Sequence, residues 1–250
     1  MLALEWMLFH VLAIIFIATV IRSAFGFGEA LIAVPLLALL IPIEEAVPLA
    51  TLISITVAAI VLMQDWQKVH LRSALQLLLS TLFGIPLGLL LLATVEEAVV
   101  KAILAVFIIG FSVYCLVGRG KLELRSDKLV WLFGFVAGVF GGAYGMNGPP
   151  LVIYGSLRRW SPEHFRATLQ GYFFPASIVG LWGYWLAGLW VRDVTRNYLL
   201  SLPVILVAIF IGRWINRRMQ THSFISYVHV GLVVIGGILL FQSIWALRVF

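Results

Sequence analysis

Ten apolar segments separated by short polar breaks, at 6–22, 28–41, 45–63, 73–92, 98–117, 129–144, 147–157, 163–185, 195–215 and 224–246, leave this chain little choice of solvent. A helix needs about 20 residues to cross a bilayer, so 28–41 and 147–157 are too short to cross upright and read as half-helices. Composition agrees: 62% of the residues are hydrophobic and 11% charged, with a mean hydropathy of +1.08, against roughly 45–50% apolar content in soluble domains. The pattern predicts an all-α polytopic membrane protein. The run from Trp6 follows Glu5 with no basic residue before it, so it reads as a retained first span and not a cleaved leader.

The net charge of +6 is spread thinly, with no basic block longer than Arg158-Arg159 or Arg217-Arg218. That excludes a nucleic-acid partner and fits loop arginines that set orientation. Four connections hold the bulk of the basic residues: Lys68 and Arg72; Arg119, Lys121, Arg125 and Lys128; Arg158, Arg159 and Arg166; Arg213, Arg217 and Arg218. They are expected to be cytosolic, which puts Glu44-Glu45 and Glu96-Glu97 outside, with both termini. The loop with Arg192, Asp193 and Arg196 is external by parity, against its own charge. Cys115 is a lone cysteine, and the histidines are scattered, so neither a metal site nor any cofactor is expected. His10 and His229 read as packing residues within spans, and Trp66 and Trp185 as interfacial anchors.

The chain also resembles itself. At an offset of 119, "SAFGFGEALIAVP" (23–35) lies over "GAYGMNGPPLVIY" (142–154), Trp66 falls on Trp185, and Gly88 matches Gly212 after a few extra residues. Each half holds five segments, an odd number, so the second half enters the membrane the other way up. The reading is two inverted-topology repeats, 1–122 and 123–250, forming one transport unit. In such an architecture broken helices meet near the midplane, because irregular backbone survives there only when buried in protein or lining a cavity.

The two glycine-rich breaks, Gly26 to Glu29 and Gly145 to Pro150, are therefore the candidate site. Arg22 lies about 24 Å of helical rise from Trp6, and Gly142 about 20 Å from Leu129, so the breaks overlap in depth. Half-helices starting after Gly28 and Gly148 aim unpaired N–H groups and positive dipole ends at whatever sits between them, which favours a small anion. Gly26, Gly28, Gly145 and Gly148 admit close backbone approach, and Asn147 is an N-cap whose amide can also donate to an oxyanion. Arg22 supplies a planar bidentate donor; the plainer alternative is that Arg22 and Glu29 only neutralise each other. Glu29 is a candidate proton site, an orienter of Arg22, or a structural acid. Gln170 falls on Thr51 at the repeat offset, and both can hydrogen-bond an anion or a neighbouring helix. Arg166 is a candidate for steering anions into the cytosolic mouth, or a topology marker. An enzyme would need a nucleophile with a base, or a metal cluster, and neither is gathered in the spans. An assembly factor would need no small-anion site at all.

"FGFGEALIAVPLL" and "GGAYGMNGPPLVIYGSLRRWSPEHFRATLQGYF" together resemble the TauE/SafE sulfite exporter family, over essentially the whole chain. The resemblance implies a bacterial inner-membrane transporter of small sulfur-containing anions such as sulfite or sulfoacetate, with a homodimer allowed. One departure is that the family often carries a denser Gly-Gly-Gly run where this chain has Gly28-Glu29-Ala30, which puts an acid at the break. Two transport readings follow: export of a sulfur oxyanion by alternating access, or proton-coupled uptake of a small carboxylate or sulfonate.

Overall fold

A computed structural model describes the backbone of residues 2–25, 28–65, 71–117, 124, 127–160, 162–218 and 222–249. Each of the ten apolar segments forms one helix: α1 (Leu2–Phe25), α2 (Glu29–Leu37), α3 (Ile43–Asp65), α4 (Leu71–Thr94), α5 (Glu97–Val117), α6 (Val130–Tyr144), α7 (Gly148–Leu157), α8 (Pro162–Leu186), α9 (Arg192–Arg218) and α10 (His222–Val249). Among the described residues there is no strand. Helix is the expected outcome in lipid, where every backbone N–H and C=O must be paired inside its own segment.

Five stretches are long and apolar enough to cross a membrane among the described residues: Trp6–Ala24, Ile43–Ile60, Ala74–Thr94, Glu97–Val117 and Arg192–Ile215. Their outward faces carry side chains such as Phe83 and Phe210, 73% and 72% exposed, a surface suited to contact with lipid. The half-helices behave differently. α2 has 9 residues and α7 has 10, about half of the span a bilayer requires. Leu31, Ile32, Ala33, Val34 and Leu37 of α2 are all buried, which explains why its sequence is apolar on every side.

Helices α4 and α6 pack together, as do α1 and α9, α5 and α10, and α3 and α8. Lipid offers no hydrophobic drive for this, so close approach at small residues supplies the attraction. A Cβ on Gly84 or Gly88 of α4 would overlap the carbonyl of Phe135 or Val139, and one on Gly138 or Gly142 of α6 would overlap that of Thr81 or Ile85. On α9, a Cβ at Gly212 would lie 2.5 Å from Ser23 Cβ and 2.6 Å from Val20 O on α1. The sequence-matched pair Gly88 and Gly212 thus has one job, each at the closest approach of its helix to a neighbour.

Exchanging α1–α5 for α6–α10 turns the α4–α6 contact into α9–α1, turns α4–α8 into α9–α3, and leaves α5–α10 and α3–α8 unchanged. This self-mapping fits inverted repeats. It also interlocks them, because each of these contacts joins one half of the chain to the other.

Two peripheral expectations meet the structure here. His10 is exposed, its Nδ1 2.6 Å from the Trp6 carbonyl one turn back, and is not packed between helices. Trp185 is 55% exposed beside Trp182 on the last turns of α8, as an interfacial anchor would be. Trp66 and the His229 side chain lie outside the described residues.

Candidate functional site

The end of α1 and the start of α2 are brought back on each other at Gly28, whose φ of 99° is left-handed backbone that suits glycine. A Cβ there would meet nothing within 4 Å, so conformation and not space calls for glycine. The turn sets Arg22, in the last turn of α1, against Glu29, the first residue of α2. Arg22 Nη1 donates to Glu29 Oε2 at 2.5 Å and also to Ser54 Oγ of α3. Both charged residues are deep in the protein, Arg22 4% and Glu29 2% exposed. The Phe173 ring of α8 lies 5.4 Å from the guanidinium carbon, a cation–π distance.

What this pairing leaves over matters most. Among the described residues, Arg22 Nε and Nη2 are buried with no hydrogen-bond partner, as is Glu29 Oε1. These two N–H groups form the side-on edge of the guanidinium, the edge that grips two oxygens of one oxyanion. Buried donors are rarely left unpaired, so two of them on one edge are placed to take an oxyanion or ordered water.

The second break completes the enclosure. α6 ends at Gly145, in left-handed conformation with φ 63°, whose N–H caps the Gly141 carbonyl at 2.9 Å. Met146 and Asn147 then lead into α7. A cavity of about 30 Å³ lies between the breaks, lined by Arg22, Gly28, Glu29 and Ser54 on one side and Gly145, Asn147, Gly148 and Pro149 on the other. Phe111 of α5 and Phe173 close it with apolar surface. Its size suits a compact group of a few atoms. The N-termini of α2 and α7 both open onto it, so two positive dipole ends add to the guanidinium.

Asn147 is held from behind. Its Nδ2 donates to Tyr172 Oη at 3.3 Å, Tyr172 Oη lies 2.7 Å from Thr81 Oγ1, and Thr81 Oγ1 donates to the Gly134 carbonyl at 2.8 Å. A carbonyl can only accept, so Thr81 spends its proton on Gly134. Tyr172 must then donate to Thr81 and accept from Asn147, which fixes how the Asn147 amide is turned. Tyr172→Phe removes that acceptor without changing ring packing. The expected result is a folded protein whose apparent affinity for a transported anion falls roughly fivefold, the worth of about one neutral hydrogen bond; a flux titration in proteoliposomes checks it.

Several candidates from the sequence meet at this cavity: Arg22, Gly28, Glu29, Gly145, Asn147 and Gly148. Thr51 does not reach it. Its hydroxyl donates to Val47 O at 2.9 Å on its own helix, and a Cβ at Gly145 would lie 2.8 Å from it, so Thr51 is packed behind the α6 cap. Gly26 and the side chains of Arg166 and Gln170 lie outside the described residues. Ser54 and Phe111 were not singled out from the sequence, and Tyr172 and Phe173 only as members of the stretch around Gln170, with no role of their own. A signal existed for two of them, since the 119 offset lays Ser54 over Phe173, and both touch the Arg22 guanidinium.

The same offset sets Gly141 and Gly148 where the first half has Arg22 and Glu29. The cradle is built twice, its charge only once.

Comparison with known proteins agrees with this arrangement. The sulfite exporter TauE/SafE family pattern matches residues 11–240. The chain is also 28% identical over 117 residues to the "probable membrane transporter protein YunE" of Bacillus subtilis (strain 168), a stretch covering 45% of this chain and 41% of that one. No solved structure matches. A family match over nearly the full length, on an all-helical membrane fold whose two glycine breaks enclose a buried arginine, assigns the chain: it belongs to the TauE/SafE family of membrane transporters.

Proposed function

We propose that this protein is a secondary carrier that exports a small sulfur oxyanion, of the sulfite or organosulfonate class, across the bacterial inner membrane by alternating access. The observation that carries the reading is the Nε–Nη2 edge of Arg22, without a partner among the described residues and buried at a cavity onto which two helix N-termini open. Backbone amides and a guanidinium select an oxyanion, and the small cavity favours a compact one. Gly28, Gly145 and Gly148 serve as the close-approach backbone, Asn147 and Gln170 as neutral donors, and Arg166 as a residue of the cytosolic approach.

The direction follows from electrostatics. A negative-inside potential is worth about 2.3 kcal/mol per charge per 100 mV, so an anion leaves the cell downhill without a coupling ion.

The test is flux from proteoliposomes under an imposed inside-negative potential, run across sulfite, sulfoacetate, taurine, isethionate and simple carboxylates. Voltage-stimulated efflux of a sulfur oxyanion is expected. Failure to move any of these anions in either direction would overturn the carrier reading, and proton-driven uptake of a carboxylate would replace the substrate and direction.

A further inference from the structure

Arg22 is shared. One nitrogen, Nη1, is engaged by Glu29 and Ser54, and the opposite edge has no hydrogen-bond partner among the described residues. Among the described residues that line the cavity, Arg22 and Glu29 are the two that ionise; Ser54 of α3, Phe111 of α5, Asn147 and Gly148 at α7, and Phe173 of α8 do not. The charge of the site can therefore be counted in each stage of a transport cycle.

With Glu29 ionised against the Arg22 guanidinium 2.5 Å away, the site without substrate is neutral. A neutral site crosses a low-dielectric interior at small cost, whereas an unpaired buried cation does so at large cost. With a monovalent anion on the Nε–Nη2 edge, the site carries one net negative charge, which the membrane potential pushes outward. Remove the carboxylate, and the two stages trade character. The empty site becomes an unpaired cation, and the loaded one becomes neutral.

On the reading of Arg22 as the anion site, we propose that Glu29 is a built-in counter-anion that lets the unloaded carrier return, so that the protein performs net export and not obligatory anion-for-anion exchange. Glu29 keeps its charge throughout this cycle and carries no proton.

The experiment compares two modes for the full chain in proteoliposomes, with sulfite as the probe at mildly acidic pH, where the hydrogen-sulfite monoanion dominates. Net efflux into sulfite-free medium requires return of the empty site; exchange of labelled for unlabelled sulfite does not. For Glu29→Gln, net efflux is expected to fall at least tenfold more than exchange does, and the exchange that remains is no longer voltage-sensitive. If Glu29→Gln retains both modes, the counter-anion role is wrong. If it loses both, Glu29 serves the loaded form instead, and the proposal is equally overturned.

The wild type supplies a check that does not depend on the variant folding. In lightly buffered vesicles its net efflux is expected to move one charge and no proton per anion. One proton per anion, or strict exchange without net efflux, would overturn the proposal while leaving the carrier reading intact. Absence of flux in the wild type with every anion offered would remove the carrier reading itself, and this proposal with it.

Discussion

Alanine at position 22 is expected to abolish anion transport and to destabilise the protein, and the two losses separate in a double variant. Arg22→Ala removes the guanidinium that faces the cavity, and it strands Glu29, only 2% exposed, without its counter-charge. Breaking a buried pair by deleting one partner costs about 3–5 kcal/mol, most of it from the charge left behind. Adding Glu29→Gln to Arg22→Ala takes that charge away, so thermal unfolding in detergent is expected to return most of the way to wild type. Transport is expected to stay absent in both. Arg22→Lys is a finer probe, because an ammonium keeps the ion pair with Glu29 but loses the planar fork; stability close to wild type with transport reduced at least tenfold is the expected pattern. Transport retained in the double variant would reduce Arg22 and Glu29 to a structural pair, the plainer alternative.

The second large effect lies at the helix crossings. Gly88→Ala on α4 and Gly212→Ala on α9 each force a methyl into backbone or Cβ atoms of the facing helix that cannot swing aside. Overpacking of this kind costs about 1–3 kcal/mol per added group, and more where the obstacle is main chain. Gly110→Ala and Gly237→Ala put the same methyl where nothing lies within 4 Å. Alanine there recovers helix propensity, at most about 1 kcal/mol. The sign of the change is thus expected to flip between two pairs of identical substitutions. Midpoints of thermal unfolding read by size-exclusion survival would reveal it, and equal effects at all four positions would refute the close-crossing account.

The scaffold was legible before the structure because hydrophobic length and interruption are written locally. All ten apolar segments became helices, and the short ones, 28–41 and 147–157, became α2 and α7. The breaks were legible for the same reason: glycine clusters and a buried charge in an apolar run have few physical uses. What could not be read locally was which faces of long helices meet. The TauE/SafE-like stretch ends at Phe173 and the repeat offset lays Ser54 over it, but neither says that the two side chains meet; they reach Arg22 because α3 and α8 pack together. Thr51 shows the converse. It sits one turn from Ser54 on α3, yet its hydroxyl is turned to its own helix and to the α6 cap. Tyr172 reads as one more aromatic in a lipid-bound run, and its role emerges only from the chain of donors that ends at Gly134.

The interlocked helix partners bear on how the protein is made. A ribosome releases helices in chain order, N-terminal first, so α1 enters the membrane among the earliest elements. Its closest companion, α9, is the ninth of ten to be synthesised. α4 similarly waits for α6. In the interval the small-residue faces of α1 and α4 lie against lipid, and the buried Arg22–Glu29 pair sits in an unfinished shell. The first half is therefore not a nascent module that folds and then receives a second. It is an open frame, and biogenesis closes the cavity between the two breaks only when most of the chain has been made.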